Sequence, residues 1–304
     1  MHTFTHAETA PVPAPAPREE EVRTTVDGVL LSAALTRPAG PEWGPLIVAL
    51  HGGTYTRDYW RVPGSPAGSL TDTAVRNGHP VLAFDRPGYG GSDALPEAEH
   101  TFDRHADLLE RAIGEVVARF GFDGVALLGH SIGGMIALDI ASRAPGWPLV
   151  CVAVTGVGAV NRPAAAQLGS LPLSGVIDLP ADDRDAVMFG PPGSHTEQAR
   201  TAARGSYAPT PFTELVQAPS WADDHLPRIA ARVRVPVHQE LAEQDALWVG
   251  DADTADAFAR LFTAAPAVHT ATIPECGHSV DHHRAAAALH LRQLAFVRDH
   301  APLG

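Results

Sequence analysis

Residues 129–134 read GHSIGG and place Ser131 between two glycines. An apolar run precedes this stretch and a helical pattern follows it, so Ser131 lies in a predicted turn between a strand and a helix. Small residues two positions before and after the serine relieve the crowding of such a turn, as in a nucleophile elbow. The N–H of Ile132, at the helix N-terminus, would then point to where an oxyanion forms. A plain turn that happens to contain serine is the alternative.

A serine nucleophile needs a base, and 16 histidines compete for that role. His278 is the candidate, because it follows the last predicted strand (267–274) and precedes the closing helix. From that loop it can fold back over the serine. His282 and His283 are predicted to lie on the closing helix and to be solvated. Neighbouring histidines on a helix point to different faces, and no partner motif accompanies them, so no metal site is expected.

The base in turn needs an acid that fixes its tautomer and stabilises the imidazolium. The loop after the strand before the last reads ELAEQDALW and contains three carboxylates. Asp245 is favoured because it lies several residues past the end of that strand. Glu243 competes for the role, whereas Glu240 is expected to lie on the strand itself. A helix N-terminal carboxylate is the alternative interpretation of Asp245.

The second oxyanion donor is expected in LHGGTYT, the loop after the buried strand 46–50. Glycine lets the backbone approach the site closely there, and the N–H of either Gly53 or Thr54 can donate. The sequence leaves both open. Side chains expected to contact the substrate are His51, Tyr55, His130 and Trp221.

The elements that must position these residues follow a regular order. Short apolar runs alternate with helical patterns, which predicts a mostly parallel sheet with helices on both faces. This core is expected to span 22–158 and 231–304. Residues 159–230 break the rhythm and predict an insertion, most simply a small helical lid, with a long irregular loop as the alternative. Residues 1–21 alternate proline and alanine and predict a disordered N-terminal arm.

Composition excludes several classes of protein. The net charge of −13 argues against nucleic acid and anionic membrane as partners. The chain contains no lysine, which excludes Schiff-base enzymes and P-loop nucleotidases. Cys151 and Cys276 are expected to be buried free thiols. We therefore expect a cytoplasmic monomer or homodimer that needs no cofactor and acts on a small molecule.

The motifs ALHGGT, AFDRPGYGGSD, GHSIGG, a late Asp and CGHS occur in the order and spacing of the α/β-hydrolase superfamily. From about residue 22 to the end, the chain resembles that superfamily. The resemblance implies an eight-stranded, mostly parallel sheet with a lid between strands six and seven. It implies Ser131 as nucleophile, His278 as base and Asp245 as acid, with the N–H groups of Ile132 and Gly53 as oxyanion donors. The role of DRPGYGGS in the superfamily is mainly structural.

The residue at the elbow narrows the reaction. Haloalkane dehalogenases and epoxide hydrolases of this fold have an Asp nucleophile, so Ser131 argues against both activities. A serine predicts acyl transfer, and hence a hydrolase acting on an ester or thioester of a small, largely apolar molecule through an acyl-enzyme. Alternatives are an acyltransferase, cyclase or lyase of a biosynthetic pathway with the same triad, or a non-catalytic ligand-binding protein.

Overall fold

The computed structural model describes residues 16–65, 68–163 and 174–302. Its strands are β1 (Arg18–Val26), β2 (Val29–Arg37), β3 (Leu46–Leu50), β4 (Val81–Phe84), β5 (Val125–His130), β6 (Leu149–Thr155), β7 (Val176–Ile177), β8 (Thr210–Pro211), β9 (Val237–Ala242) and β10 (Val268–Ile273). Its α-helices are α1 (Leu70–Arg76), α2 (Phe102–Phe120), α3 (Ile132–Ser142), α4 (Ala181–Met188), α5 (Glu197–Gly205), α6 (Phe212–Asp224), α7 (Leu226–Ala230), α8 (Ala252–Arg260) and α9 (Ala286–His300). None of these helices is both long and apolar enough to cross a lipid bilayer.

An eight-stranded sheet forms the centre of the fold, in the order β1-β2-β4-β3-β5-β6-β9-β10. The first two strands form a hairpin, and β2 pairs with β4 in antiparallel fashion. All later pairs in this sheet are parallel. The predicted eight-stranded, mostly parallel α/β sheet is therefore confirmed. Parallel strands bring their carboxyl ends to one edge, so the loops after β3, β5, β9 and β10 meet there.

The first strand begins inside the segment for which an arm was expected. β1 starts at Arg18, because its residues pair with β2 from Arg18 opposite Arg37 to Val26 opposite Val29. Only residues 16 and 17 of the arm are described outside the strand, and residues 1–15 lie outside the described part of the chain. The core therefore begins at Arg18 and not at residue 22, because pairing with β2 extends the first strand of the hairpin.

The helix α2 shows why the periodic segments fold as predicted. The side chain of Thr101 caps its N-terminus by accepting the N–H of Arg104 at 3.1 Å. Gly121 ends the helix with φ of 71°, a left-handed conformation that glycine adopts without steric cost. The apolar residues at helical spacing face the core, which fixes the helix against the sheet.

The turn from β5 into α3 brings backbone segments into close contact. A Cβ atom on Gly133 would lie 2.1 Å from the carbonyl oxygen of Leu50, and one on Gly129 would lie 2.5 Å from the carbonyl oxygen of Gly133. A Cβ atom on Gly134 would lie 2.7 Å from the Val157 side chain, consistent with close helix–strand packing. The glycines of GHSIGG therefore let α3 start directly against β3 and β5.

The segment between β6 and β9 contains β7, β8 and the helices α4 to α7. It lies within residues 159–230, where an insertion was expected, and residues 164–173 lie outside the described residues. The buried Trp221 of α6 belongs to the main hydrophobic core, and α7 packs against α3. These contacts seat the helical insertion on the carboxyl edge of the sheet.

The closing helix begins later than the sequence predicts. Residues Val280–His282 form one turn of 3-10 helix, and α9 starts only at Ala286. Because His282 and His283 lie before this helix, they are not on its solvated face. Their exposed fractions are 1% and 5%, so the prediction that they are solvated is wrong.

His283 joins the insertion to the loop before α9. Its Nε2 accepts the N–H of Gly190 at 2.9 Å and the N–H of Gly277 at 3.2 Å. These partners require a neutral ring whose Nδ1 donates to the carbonyl oxygen of Ser279 at 2.8 Å. Burial is the main cause that lowers the pKa of His283 from 6.5 to about 4.

Substitution of Gly133 by alanine should destabilise the fold by several kcal/mol. The backbone oxygen of Leu50, 2.1 Å from the new methyl group, cannot move without breaking the β3–α3 contact. Urea unfolding followed by circular dichroism measures the loss. Gly146, where nothing lies within 4 Å of an added Cβ atom, provides the matched Gly146→Ala control. Equal stability of the two variants would contradict the packing argument.

Acid should weaken the fold through His283. Its pKa is about 4 in the folded chain against an ordinary 6.5, so the stabilisation is complete above pH 6.5 and is lost as the pH falls towards 4. The loss is about 1.4 kcal/mol per pH unit, or about 3 kcal/mol in total. In urea unfolding, His283→Gln should be less stable at pH 7 but less sensitive to acid over this range. His225→Gln, at an exposed position, is the control and should show the same pH dependence of the unfolding free energy as the wild type. If His283→Gln also shows the pH dependence of the wild type, His283 is not the group responsible.

Candidate active site

Ser131 lies at the sharp turn between β5 and α3. Its backbone adopts φ of 52° and ψ of −124°, an unfavourable conformation for a residue with a side chain. The turn is fixed because its N–H donates to the carbonyl oxygen of Thr155 at 2.8 Å and its carbonyl oxygen accepts the N–H of Met135 at 3.0 Å. Strain held in this way presents the hydroxyl at the carboxyl edge of the sheet.

His278 and Asp245 form a buried pair beside this turn. Nδ1 of His278 lies 2.8 Å from Oδ2 of Asp245, while the other carboxylate oxygen accepts the N–H groups of Leu247 at 2.8 Å and Trp248 at 3.1 Å. Nε2 of His278 is buried and has no hydrogen-bond partner within the described residues. The carboxylate therefore orients the ring so that Nε2 is left for another group.

The other two carboxylates of the same loop have different partners. Glu240 lies on β9, as expected, and both of its oxygens accept from Arg292, one of them at 2.8 Å. Glu243 accepts the N–H of Glu275 at 3.0 Å. Asp245 is the carboxylate of this loop that the structure brings to His278.

The HGG loop, residues 51–54, follows β3 and faces Ser131. A Cβ atom on Gly52 would lie 3.1 Å from the Ser131 Cβ, and one on Gly53 would lie 2.9 Å from the Ile132 side chain. Thr54 has φ of 65°, and its buried Oγ1 has no partner within the described residues. Loop and elbow are thus close enough for their backbone N–H groups to face a common point.

A cavity of about 70 Å³ lies between the elbow and the insertion. Ser131, Ile132, Gly53, Thr54 and His278, all singled out from the sequence, line it. The remaining lining side chains are almost all apolar and come from α3, the insertion and the loop that carries Asp245: Met135, Asn161, Met188, Leu215, Ala218, Pro219, Leu247 and Trp248. Among the residues that the structure describes, no Asp, Glu or Arg side chain lines the cavity.

Two of the expected substrate contacts brace loops instead of lining the cavity. The hydroxyl of Tyr55 bonds to Oγ of Ser279 at 2.8 Å, next to His278. Nδ1 of His51 donates to the carbonyl oxygen of Gly52 at 2.8 Å, and the side chain is fully buried. Burial, followed by the nearby charge of Arg86, holds the pKa of His51 well below its usual range.

The other two expected contacts are also absent from the lining. Nδ1 of His130 bonds to Oγ1 of Thr155 at 3.1 Å, and its ring stacks on Tyr59 with centroids 4.6 Å apart. Trp221 packs in the main core at 1% exposure. All four residues lie near the site in sequence, but their side chains point into the protein interior, where they contact the surrounding loops and the core.

Beneath the HGG loop lies a buried ion pair that the sequence did not single out. Arg86 donates to both oxygens of Glu214 at 2.9 Å, and both side chains are fully buried. Burial opposes ionisation of Glu214, but the charge of Arg86 and their hydrogen bonds hold the pKa of this carboxyl below its usual value. Arg86 belongs to DRPGYGGS, whereas Glu214 is on α6 of the insertion.

The same cluster brings together three side chains of types that bind metal ions. Ligand atoms of His100, His105 and Glu214 lie within 4.8 Å of one another. However, Arg86 donates to both oxygens of Glu214 and its Nη1 lies 3.3 Å from Nδ1 of His105. The guanidinium therefore supplies the positive charge that a metal would bring. Burial lowers the pKa of His105 to about 3, so this ring is neutral.

The sequence analysis missed several of the residues that line the cavity, because no local sequence pattern marks them. Leu247 and Trp248 follow Asp245 directly, so their position near the site could have been read from that of the acid. Asn161 lies just past β6, where its side chain donates to the carbonyl oxygen of Pro219 at 2.7 Å. Leu215, Ala218 and Pro219 lie on α6, whose register over the site depends on the fold of the insertion.

Comparison with known proteins agrees with this geometry. Residues 47–289 match the model of the alpha/beta hydrolase family. The AB hydrolase superfamily protein YfhM of Bacillus subtilis (strain 168) is 33% identical over 119 residues, 39% of this chain and 37% of that protein. Epoxide hydrolase 3 of Xenopus tropicalis is 30% identical over 105 residues, 34% of this chain and 26% of that protein. The chain thus aligns with well under half of the length of either relative.

Among solved structures, a soluble variant of monoglyceride lipase from Saccharomyces cerevisiae, in complex with a substrate analogue, superposes with a TM-score of 0.70. It is 15% identical, and the match covers 97% of this chain and 99% of that one, so it shows a shared fold. The family match itself covers most of the chain, including the HGG loop, the elbow and the loop of His278. The chain belongs to the alpha/beta hydrolase family.

Proposed function

We propose that the protein is a serine hydrolase that cleaves an ester or thioester through an acyl-enzyme. The observation that carries the proposal is the buried His278–Asp245 pair, with an oriented and unpartnered Nε2 at the cavity that Ser131 lines. The strained turn at Ser131 adds a second argument, since strain of this kind persists where function requires it.

In the proposed mechanism, the hydroxyl of Ser131 attacks the substrate carbonyl while Nε2 of His278 takes its proton. Asp245 keeps the proton of the ring on Nδ1 and stabilises the imidazolium that forms. The N–H of Ile132 and an N–H of the HGG loop stabilise the oxyanion. His278 then returns its proton to the leaving group, and a water molecule activated by the same ring releases the acid and regenerates Ser131.

An epoxide is a poor substrate for this site, although one relative is named an epoxide hydrolase. In epoxide hydrolases of this fold the elbow residue is Asp, whose carboxylate opens the ring and forms an ester with the substrate. Ser131 stands at the elbow here. Monoglyceride lipase, with which this chain shares its fold, is named for an ester substrate, and an ester suits the chemistry of serine.

The cavity favours a small, uncharged acyl group. Its largely apolar lining surrounds Ser131, and among the described residues the lining side chains with hydrogen-bonding groups are Thr54, Asn161, Ser131, Trp248 and His278. A charged substituent would lose its water without gaining a partner, which is costly. The volume of about 70 Å³ accommodates a short chain rather than a long one.

Ser131→Ala should abolish covalent labelling by a fluorophosphonate and lower kcat for p-nitrophenyl butyrate by about 10⁴-fold or more. Asp245→Asn should keep the nucleophile but lower kcat by about 10⁴-fold, because the ring loses its orienting charge. Labelling is measured by intact-protein mass spectrometry. Ser142→Ala, at the far end of α3, is the matched control and should label like the wild type.

An unlabelled wild-type chain would contradict the serine hydrolase and favour a ligand-binding role. Labelling without hydrolysis of any ester or thioester would instead favour an acyl acceptor other than water, or lyase chemistry, at the same triad.

Acyl chain length should decide the rate of ester hydrolysis. We expect p-nitrophenyl acetate and butyrate to give kcat/KM at least about tenfold above the octanoate, because a cavity of about 70 Å³ suits a short acyl chain better than a long one. Met188→Ala enlarges the cavity and should raise kcat/KM for octanoate more than for acetate. A wild-type enzyme that prefers octanoate, or a Met188→Ala variant with unchanged ratios, would contradict this assignment of the acyl site.

A further inference from the structure

The ion pair between Arg86 and Glu214 connects the insertion to the loop that supplies an oxyanion donor. Besides its two bonds to Glu214, Arg86 donates from Nε to the carbonyl oxygen of His51 at 2.9 Å and from Nη2 to that of Gly52 at 3.1 Å. Its backbone N–H donates to Nε2 of His51 at 3.1 Å. One buried guanidinium thus holds two successive carbonyl groups of the HGG loop and one carboxylate of the insertion.

The bond to Gly52 has a direct consequence for Gly53. The C=O of Gly52 and the N–H of Gly53 belong to one planar trans peptide, so they point in opposite directions. When Arg86 and the His51 ring both hold the Gly52 oxygen, the Gly53 N–H points the other way. Gly53 lines the cavity beside Ser131, so this N–H, rather than that of Thr54, is the group whose direction Arg86 sets.

Glu214 is what keeps Arg86 in this position. Without a counter-charge, a fully buried guanidinium is unstable and moves towards water. Glu214 accepts two bonds from Arg86 and a third from the hydroxyl of Tyr89 at 2.9 Å. It also lies on α6 next to Leu215, and the same helix lines the cavity. Through this carboxylate, α6 is bonded to the guanidinium of Arg86, to which the HGG loop is bonded as well.

We propose that Glu214 is a positioning residue for the oxyanion hole: it fixes Arg86, which in turn aims the N–H of Gly53 at the substrate oxygen. The inference rests on the proposed hydrolase function. It makes the Arg86–Glu214 contact, rather than the packing of α6 as a whole, a condition for transition-state stabilisation.

The test compares two substitutions on α6. Glu214→Gln keeps the shape of the side chain but removes the charge that holds Arg86. Gln217→Ala removes another tether of the same helix, since Gln217 accepts the N–H of Phe102 at 3.2 Å and donates to the carbonyl oxygen of His100 at 2.7 Å. Neither partner belongs to the HGG loop, so this variant loosens the helix without removing a bond to that loop.

For p-nitrophenyl butyrate, Glu214→Gln should lower kcat by about 10- to 100-fold and leave KM within about twofold, because the oxyanion bond strengthens only in the transition state. Gln217→Ala should keep kcat within about threefold of the wild type. Hydrogen exchange measured by mass spectrometry should rise in the peptide covering 51–56 for Glu214→Gln and remain unchanged there for Gln217→Ala.

A double variant separates positioning from stability. Arg86→Met with Glu214→Leu removes both charges, and so avoids an unpaired buried ion if the single variant fails to fold. It should unfold at a urea concentration near that of the wild type while kcat stays low. Recovery of kcat together with stability would overturn the proposal, as would equal losses of kcat in Glu214→Gln and Gln217→Ala.

The two proposals fail in different ways. If the wild-type chain is neither labelled at Ser131 nor active on esters, the hydrolase function fails, and the catalytic role of Glu214 fails with it. If the wild type is labelled and active but exchange in 51–56 and kcat do not respond to Glu214→Gln, only the positioning role is overturned.

Discussion

The close approach of the β5–α3 turn to β3 is the constraint on which the rest of the site depends. A Cβ atom at position 133 would lie 2.1 Å from the carbonyl oxygen of Leu50, so this approach requires glycine there. In return, it places Ser131 at the tip of a strained turn and directs the first free N–H groups of α3 towards the same point. The HGG loop, Ser131 and the N-terminus of α3 thus border one small volume.

Around that volume, the protein buries polar and charged side chains as well as apolar ones. His51, His130 and His283 are neutral rings. A ring nitrogen of each bonds to a segment at least 25 positions away, namely the N–H of Arg86, Oγ1 of Thr155 and the N–H of Gly190. Burial keeps the pKa of each ring below its ordinary value. At neutral pH these rings are therefore uncharged, and their hydrogen bonds fix the relative positions of the HGG loop, the elbow and the loop of His278.

The insertion is coupled to this frame by polar contacts as well as by apolar packing. Trp221 enters the main core, but the Arg86–Glu214 pair and the bonds of His283 to Gly190 and Gly277 give the contact a defined geometry. Apolar surfaces can slide at little cost, whereas a buried ion pair tolerates little displacement. This difference explains how a segment that lines the cavity can also be held at a fixed distance from the HGG loop.

Much of this was determined by the sequence alone. The alternation of apolar runs and helical patterns was enough to predict the parallel sheet and its helices. Motif and loop position singled out Ser131, His278 and Asp245; the structure pairs His278 with Asp245 and lines one cavity with Ser131 and His278. These inferences succeed because they rest on patterns within a few residues or on the order of loops at one sheet edge.

Only the tertiary structure decided where His51, Tyr55, His130 and Trp221 point, that His282 and His283 are buried, and that Arg86 meets Glu214. Each depends on contacts between segments distant in the chain, as with Arg86 and Glu214, 128 positions apart. Which side chain fills a buried space is set by the packing of all its neighbours, and no local pattern encodes that result.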